Sequence, residues 1–428
     1  MSATSVQAAP KPASKAAPKS VSKAPAASKD LAGQDTPALL RRWQGIASIA
    51  CVLFAVLTCT GLLLTWQANT RAAADADQVS RVQDVQSDLF RADALATNAF
   101  LVGGLESPAH RQSYDEAIAS VTEGIAAAAA EQPADRDALA ALNLRVLNYA
   151  QSIQEARANN RQGFPVGAQY LKQASSDLRS AALPIAAALV QANQDRATSE
   201  IHGAWTLIFL AAGLLTLAVL WWVNRRLATM FKRRFNLGVL WAAMAVLGLT
   251  IASTALGFTD SSARSSLYQD SFVPGVAAAQ ARTSGNDARS NEALRLIARG
   301  SGAAYEASWT TASTLTDTGL GAAGLGGLRS DWAIYASAHQ EIVELDESGA
   351  WEKAVSAATN ETKKASTSFE TFDKAAQTKA AASLSDVSAG VVKANIAFLT
   401  LAAISVGVGL ATAGLIAWGI GLRRKEFA

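Results

Sequence analysis

The side chains able to do chemistry in this 428-residue chain are few and widely spaced. Its three histidines, His110, His202 and His339, form no HExxH pattern, and the two cysteines, Cys51 and Cys59, form no cluster with them. The run from Gly319 to Gly327 (GLGAAGLGG) lacks the Lys and the following Ser or Thr of a phosphate-binding loop, so it reads as a flexible connector. Glu341, Glu344, Asp346 and Glu347 have the spacing of a solvated helix face more than that of a cation site. Arg145, Arg295 and Arg299 are embedded in helical sequence and would hold a ligand carboxylate if they faced a cleft. The pattern predicts a non-enzymatic protein with no catalytic residues, no metal, no cofactor and no nucleic-acid partner, whose chemistry is binding.

Four apolar stretches without Asp, Glu, Lys or Arg position everything else: residues 43–66, 204–223, 237–258 and 396–422. Each is long enough to cross a hydrocarbon core of about 30 Å as a helix. Trp43, Trp66, Trp205, Trp221, Trp222, Trp241 and Trp418 lie at or near the stretch ends, where indole prefers the headgroup layer. No charge interrupts a span, so the usual marks of an ion path or proton relay are missing. Ala403, Gly407 and Ala411 put small residues on one face of the fourth span, which reads as intramolecular packing or as the seam of a homodimer.

Charge sets the expected orientation. Arg41 and Arg42 precede the first span, Arg225, Arg226, Lys232, Arg233 and Arg234 fill the 224–236 loop, and Arg423, Arg424 and Lys425 follow the fourth span. By the positive-inside rule these pieces are cytoplasmic, with the 423–428 tail among them. The two long segments are acidic by contrast: residues 68–203 carry 11 basic and 16 acidic side chains, and residues 259–395 carry 12 and 16. Residues 1–42 are Lys, Ala, Pro and Ser with few large apolar side chains, the composition of a disordered basic tail.

Both long segments, 67–203 and 259–395, show apolar residues at three- and four-residue spacing. Breaks fall at Gly103-Gly104 with Pro108, at Pro133 and at Gly163 in the first, and at Gly300 to Gly302, Gly319 to Gly327 and Gly349 in the second. Three breaks predict four helices per segment, hence two tandem extracytoplasmic four-helix bundles in an all-α membrane protein. Tyr149 precedes Gly163, and Tyr335 precedes Gly349, by the same 14 residues, as expected of a duplicated helix–bundle–helix unit. The outer helices should run on into the spans, with Pro184 and Pro274 each removing a backbone hydrogen bond and kinking its helix.

A bundle between two membrane helices resembles the sensing module of bacterial chemoreceptors. The doubled form, with ARTSGNDARSNEALRLIARG (281–300), HQEIVELDESGAWEKAV (339–355) and a basic Lys/Ala/Pro tail, is similar to the GlnX family of actinobacterial membrane proteins. That resemblance implies signal transduction between an extracellular amino-acid-binding lipoprotein (GlnH-like) and a cytosolic Ser/Thr kinase (PknG-like). It agrees with how little of the sequence is expected inside the cell, which leaves output to a separate partner. External docking is expected at the bundle tips, Gly103, Gly104, Gly163, Gly300 and Gly349 with Trp351, and internal docking at Arg225, Arg226, Lys232, Arg233 and Arg234. Two other readings stay open: direct sensing of an amino acid by Arg145, Arg295 and Arg299, and a scaffold of the envelope that senses nothing.

Overall fold

A computed structural model describes residues 36–102, 108–161, 166–202, 206–231 and 236–425, and among them there is no strand. The tail before residue 36, Gly103, Gly104, Gly163, Trp205, Lys232, Arg233 and Arg234 lie outside the described residues, as do the side chains of His202, Arg423, Arg424 and Lys425.

The first half opens with α1 (Thr36–Val102), a single helix of 67 residues that carries the first apolar stretch and continues far beyond it. At 1.5 Å per residue it is about 100 Å long. Helices α2 (Pro108–Glu131) and α3 (Arg136–Arg161) follow, joined by a short turn of 3-10 helix at Pro133–Asp135. The chain returns through α4 (Val166–Asp177) and α5 (Leu183–His202), and α6 (Thr206–Phe231) carries the second apolar stretch.

The second half begins with α7 (Leu237–Leu267), which holds the third stretch and passes into α8 (Val273–Ile297). Helices α9 (Ala303–Ala322) and α10 (Gly326–Glu347) form a hairpin, so the glycine run breaks the helix only at residues 323–325. Gly324 turns there at φ +69°, a conformation glycine adopts without strain. Beyond Gly349 lies a division the glycine pattern does not announce. A short α11 (Trp351–Thr359) precedes α12 (Lys364–Val391), and Asn360 Oδ1 makes the intervening turn by accepting from the Thr362 amide. A further turn at residues 392–394 separates α12 from α13 (Asn395–Lys425), the helix of the fourth stretch, so this connection is not the unbroken run expected.

Both prolines sit just after a wide π-helical turn, Leu178–Ala182 before Pro184 and Tyr268–Phe272 before Pro274. The π turns accommodate the bond each ring removes and shift the phase of the side chains around them.

Among the described residues, four helices are long and apolar enough to cross a membrane. Where they meet, Leu40, Phe54, Leu220, Val239, Val246 and Ile416 form a buried core. Their outer faces expose Ile49, Leu53, Leu214, Leu215, Ile251 and Leu410, a belt that water would penalise and lipid does not. The chain is thus a multi-pass membrane protein. Asn236 caps α7 through the amides of Gly238 and Val239 and donates to the Gly419 carbonyl of α13, tying the third span to the fourth.

Outside this layer each half has its own core, Val85, Leu89, Tyr114, Leu142, Tyr149 and Leu171 in the first and Trp332, Tyr335, Phe369 and Phe372 in the second. The halves are not separate. Near the membrane Ala72, Ala76 and Val79 of α1 pack with Phe272, Leu384 and Val387, and at the far end Leu101 of α1 joins Leu296, Ala338 and Ile342. Helices α1 and α8 lie against one another between these contacts. Helix α8 is buried on nearly every side, and Gly285 is what lets the Phe372 and Trp332 rings reach it: a β-carbon there would stand 2.7 Å from Phe372 and 3.3 Å from Trp332. Gly285→Val should cost about 1–3 kcal/mol through overpacking, read as a lower thermal midpoint of the purified protein.

Candidate functional site

Where α1 and α8 touch, the contact is ionic. Helix α1 brings Asp88, Arg91 and Asp93 into an otherwise small and apolar stripe, and α8 brings Arg282, Asn286, Asp287 and Ser290. Arg282, only 1% exposed, donates from Nη2 to Asp88 at 2.8 Å and from Nε to Asp373 of α12 at 3.2 Å. Asp373 also accepts from Asn286 at 2.6 Å and from Arg91 at 3.0 Å, so one carboxylate gathers three helices. Asp88 in turn accepts from Ser120 of α2, and Ser87 and Thr283 share a hydrogen bond of 2.7 Å across the seam.

One turn further along α1, Asp93 has no exposed surface and accepts from four side chains. They are Tyr149 of α3 at 3.2 Å, Ser175 of α4 at 2.8 Å, Ser290 of α8 at 2.6 Å and Arg179 at 2.5 Å. Arg179 lies in the π turn before Pro184, and its other amine reaches Asp287 of α8 at 2.7 Å. Burial works against its charge, but Asp93 and Asp287 outweigh burial and hold the guanidinium protonated. The wide turn therefore puts a cation of the first half between carboxylates of both halves.

A second buried cluster lies beyond the seam. His339 of α10 is 1% exposed, with Nδ1 2.8 Å from Glu292 and Nε2 3.3 Å from Glu306. Its ring stacks on Trp309 with centroids 3.7 Å apart, while Tyr335 donates to Glu292 and Arg289 forms an ion pair with it. Burial disfavours the imidazolium, yet the hydrogen bonds to Glu292 and Glu306 prevail and raise the histidine above its ordinary value.

The arginines singled out in the sequence do not converge. Arg145 is exposed on α3 of the first half. Arg295 is buried but already engaged, with Glu306, Asp346 and Glu347 each at 3.2 Å. Two members of the acidic run thus hold an arginine, and Glu341 pairs with Lys364. Arg299 is exposed and lies 4.0 Å over the Trp351 ring, and Trp351 donates its indole N–H to the Leu296 carbonyl. These two close the end of α8, where Arg299 and Gly300 take φ of +39° and +82°. Gly349, at +79°, turns the chain from α10 into Trp351. Arg225 and Arg226 are exposed on α6, over Trp221 and Trp222 at 5.5 and 5.6 Å.

The seam residues were not identified from sequence, although Arg282, Asn286, Asp287, Ser290 and Glu292 all fall within the 281–300 motif. The available signal was a helix with polar residues on every face and Gly or Ala between them, a pattern that suits a helix surrounded by others.

Residues 67–202, from the extramembrane part of α1 to the end of α5, match the family model of the actinobacterial sensor domain. No curated protein and no solved structure matches the chain. The match supports a sensing role and covers the half that contributes Asp88, Asp93 and Arg179 to the seam.

Removing one partner of a buried ionic group leaves the others uncompensated. Asp93→Ala should therefore destabilise by about 3–5 kcal/mol, whereas Asp317→Asn, which breaks an exposed pair with Arg329, should leave the thermal midpoint in place. For His339 the folded state favours the proton, so its stabilisation is complete below the ordinary value of about 6.5 and is lost as pH rises through the raised one. The difference in thermal midpoint between wild type and His339→Gln should accordingly be largest in acid and shrink toward alkaline pH.

Proposed function

We propose that the protein is a transmembrane relay that couples an extracellular amino-acid-binding lipoprotein to a cytosolic Ser/Thr kinase, both halves facing outward and the basic termini and loop inward. One observation carries this reading: α1 joins the buried seam to the membrane layer without a break. A displacement of the seam is thereby a displacement of the first span, and α8 hands the same movement to the third span through α7.

The seam has the parts of a two-position device. Asp84 lies one helical turn before Asp88 on α1, and Arg282 Nη1 is already 3.7 Å from it. Sliding α8 toward the membrane by part of a turn would carry Arg282 from Asp88 toward Asp84, so this guanidinium has a carboxylate to meet in either position. Arg225 and Arg226, and in the sequence that follows them Lys232, Arg233 and Arg234, supply the basic charge that would meet the kinase. The sensor-domain match and the resemblance of the 281–300 and 339–355 motifs support the same reading.

The test is a lock. Ser87→Cys with Thr283→Cys places two thiols where hydroxyl oxygens now stand 2.7 Å apart. Affinity purification of the full chain should recover an amino-acid-binding lipoprotein and a Ser/Thr kinase, and glutamate should change the recovered kinase in wild type and in the reduced double variant but not in the oxidised one. Recovery of neither partner would refute the relay, and an unchanged glutamate response in the oxidised protein would refute the seam as its moving part.

A further inference from the structure

Two clefts flank the seam in equivalent places. One lies between α1 and α2 of the first half and α8 and α12 of the second; the other lies between α8 and α9 of the second half and α1 and α5 of the first. In each, the first two helices of one half face the first and last of the other, so exchanging the halves converts one cleft into the other. Their linings have diverged in charge. The α9 side, about 530 Å³, presents Gln86, Gln191, Gln194 and Gln280 and, among the described residues, neither Lys nor Arg. The α2 side, about 680 Å³, is lined by Arg91, Arg289 and Lys374 and by Glu361, Glu370 and Asp373, three charges of each sign.

Several of these charges are already committed. Arg289 is used by Glu292, the Ala358 carbonyl and Ser366, Asp373 by Arg282, Asn286 and Arg91, and Glu361 by His110. The rest are available. Arg91 commits one amine to Asp373 and its side chain is 38% exposed, while Lys374 and Glu370 are exposed on α12 and make no ion pair among the described residues. Asn286, which also lines the cleft, is held by its amide nitrogen to Asp373 at 2.6 Å.

A neutral cleft with free cations and a free carboxylate suits a ligand that is itself neutral overall and carries both charges. We propose that the α2-side cleft binds a free α-amino acid directly, Arg91 and Lys374 taking its carboxylate and Glu370 taking its ammonium. The volume falls within the usual range of small-molecule sites, about 300–1,000 Å³, with space for a side chain. Occupancy reaches the seam in one step, because Arg91 and Arg282 share Asp373: drawing Arg91 toward a ligand frees that carboxylate for Arg282. The site rests on the sensing role but needs neither the lipoprotein nor the kinase.

Calorimetry on the purified full-length protein in detergent, with each of the twenty L-amino acids in turn, tests this. At least one should bind saturably, while glutarate, which lacks the ammonium, and cadaverine, which lacks the carboxylate, should bind at least about tenfold more weakly. Lys374→Gln and Arg91→Gln should each weaken binding about tenfold, and Gln280→Ala in the opposite cleft should not. Arg91→Gln also removes a bond to Asp373, so its helicity is checked by circular dichroism; Lys374 is exposed and its replacement leaves the fold intact. Absence of saturable binding, binding unaffected by both variants, or glutarate binding as tightly as any amino acid each overturns the cleft assignment. That result would leave the relay standing, whereas amino-acid binding without co-purified partners would sink the relay and leave the cleft.

Discussion

Arg282 and Arg179 are the interaction on which the remaining architecture depends. Each is an arginine drawn out of water between carboxylates of two different halves, Arg282 between Asp88 and Asp373 and Arg179 between Asp93 and Asp287. A buried ion pair contributes little net stability over an apolar contact of the same shape, but it is costly to break. Its effect is on register: α1 and α8 meet where the carboxylates and guanidiniums coincide, and a slip that failed to re-pair them would leave charge buried alone. The apolar contacts at Ala72 and Ala76 and at Leu101 add attraction that is non-directional. Polar groups fix the alignment that the hydrophobic surfaces only make adhesive.

The same constraint explains the π turns. Asp93 faces the core of its own half, and an ordinary helix through Pro184 would both lose a backbone bond and carry Arg179 past it. The turn at Leu178–Ala182 settles both problems, since a widened turn absorbs the missing bond and rephases the side chain toward Asp93 and Asp287. Its counterpart at Tyr268–Phe272 precedes α8 and sets the phase with which Arg282 enters the seam. Both prolines thus stand where side-chain direction matters more than helix regularity.

Apolar periodicity and glycine breaks carried most of the architecture, because both are properties of one helix at a time. Gly300, Gly324 and Gly349 adopt positive φ at turns, and the uncharged stretches lie in the four helices long enough to span a bilayer. What escaped depends on something outside the helix concerned. The division at Asn360–Lys363 has no glycine, only an Asx turn whose Asn-x-Thr signal is weak in a polar segment. The pairing of the halves rests on a few polar side chains whose meaning changes with the partner: Asp88 reads as solvent-facing until α8 is placed against it. Arg295 and Arg299 attracted notice as arginines in helices, yet one is neutralised by three carboxylates and the other stacks on Trp351.

Helix α8 shares the seam with α1. α1 spans the membrane and meets α2, α8 and α12 through Asp88 and Arg91, and α8 likewise presents a different polar group to each of its neighbours. Arg282 faces α1 and α12, Asp287 and Ser290 face the π turn and Asp93, Glu292 faces His339 of α10, and Arg295 reaches α9 and the end of α10. A perturbation at the distal end, where Arg299 and Trp351 close the helix, and one at the seam therefore act on the same rigid element. Because that element is hydrogen-bonded on several sides it has little freedom to bend, and through the π turn it continues into α7 and the third span.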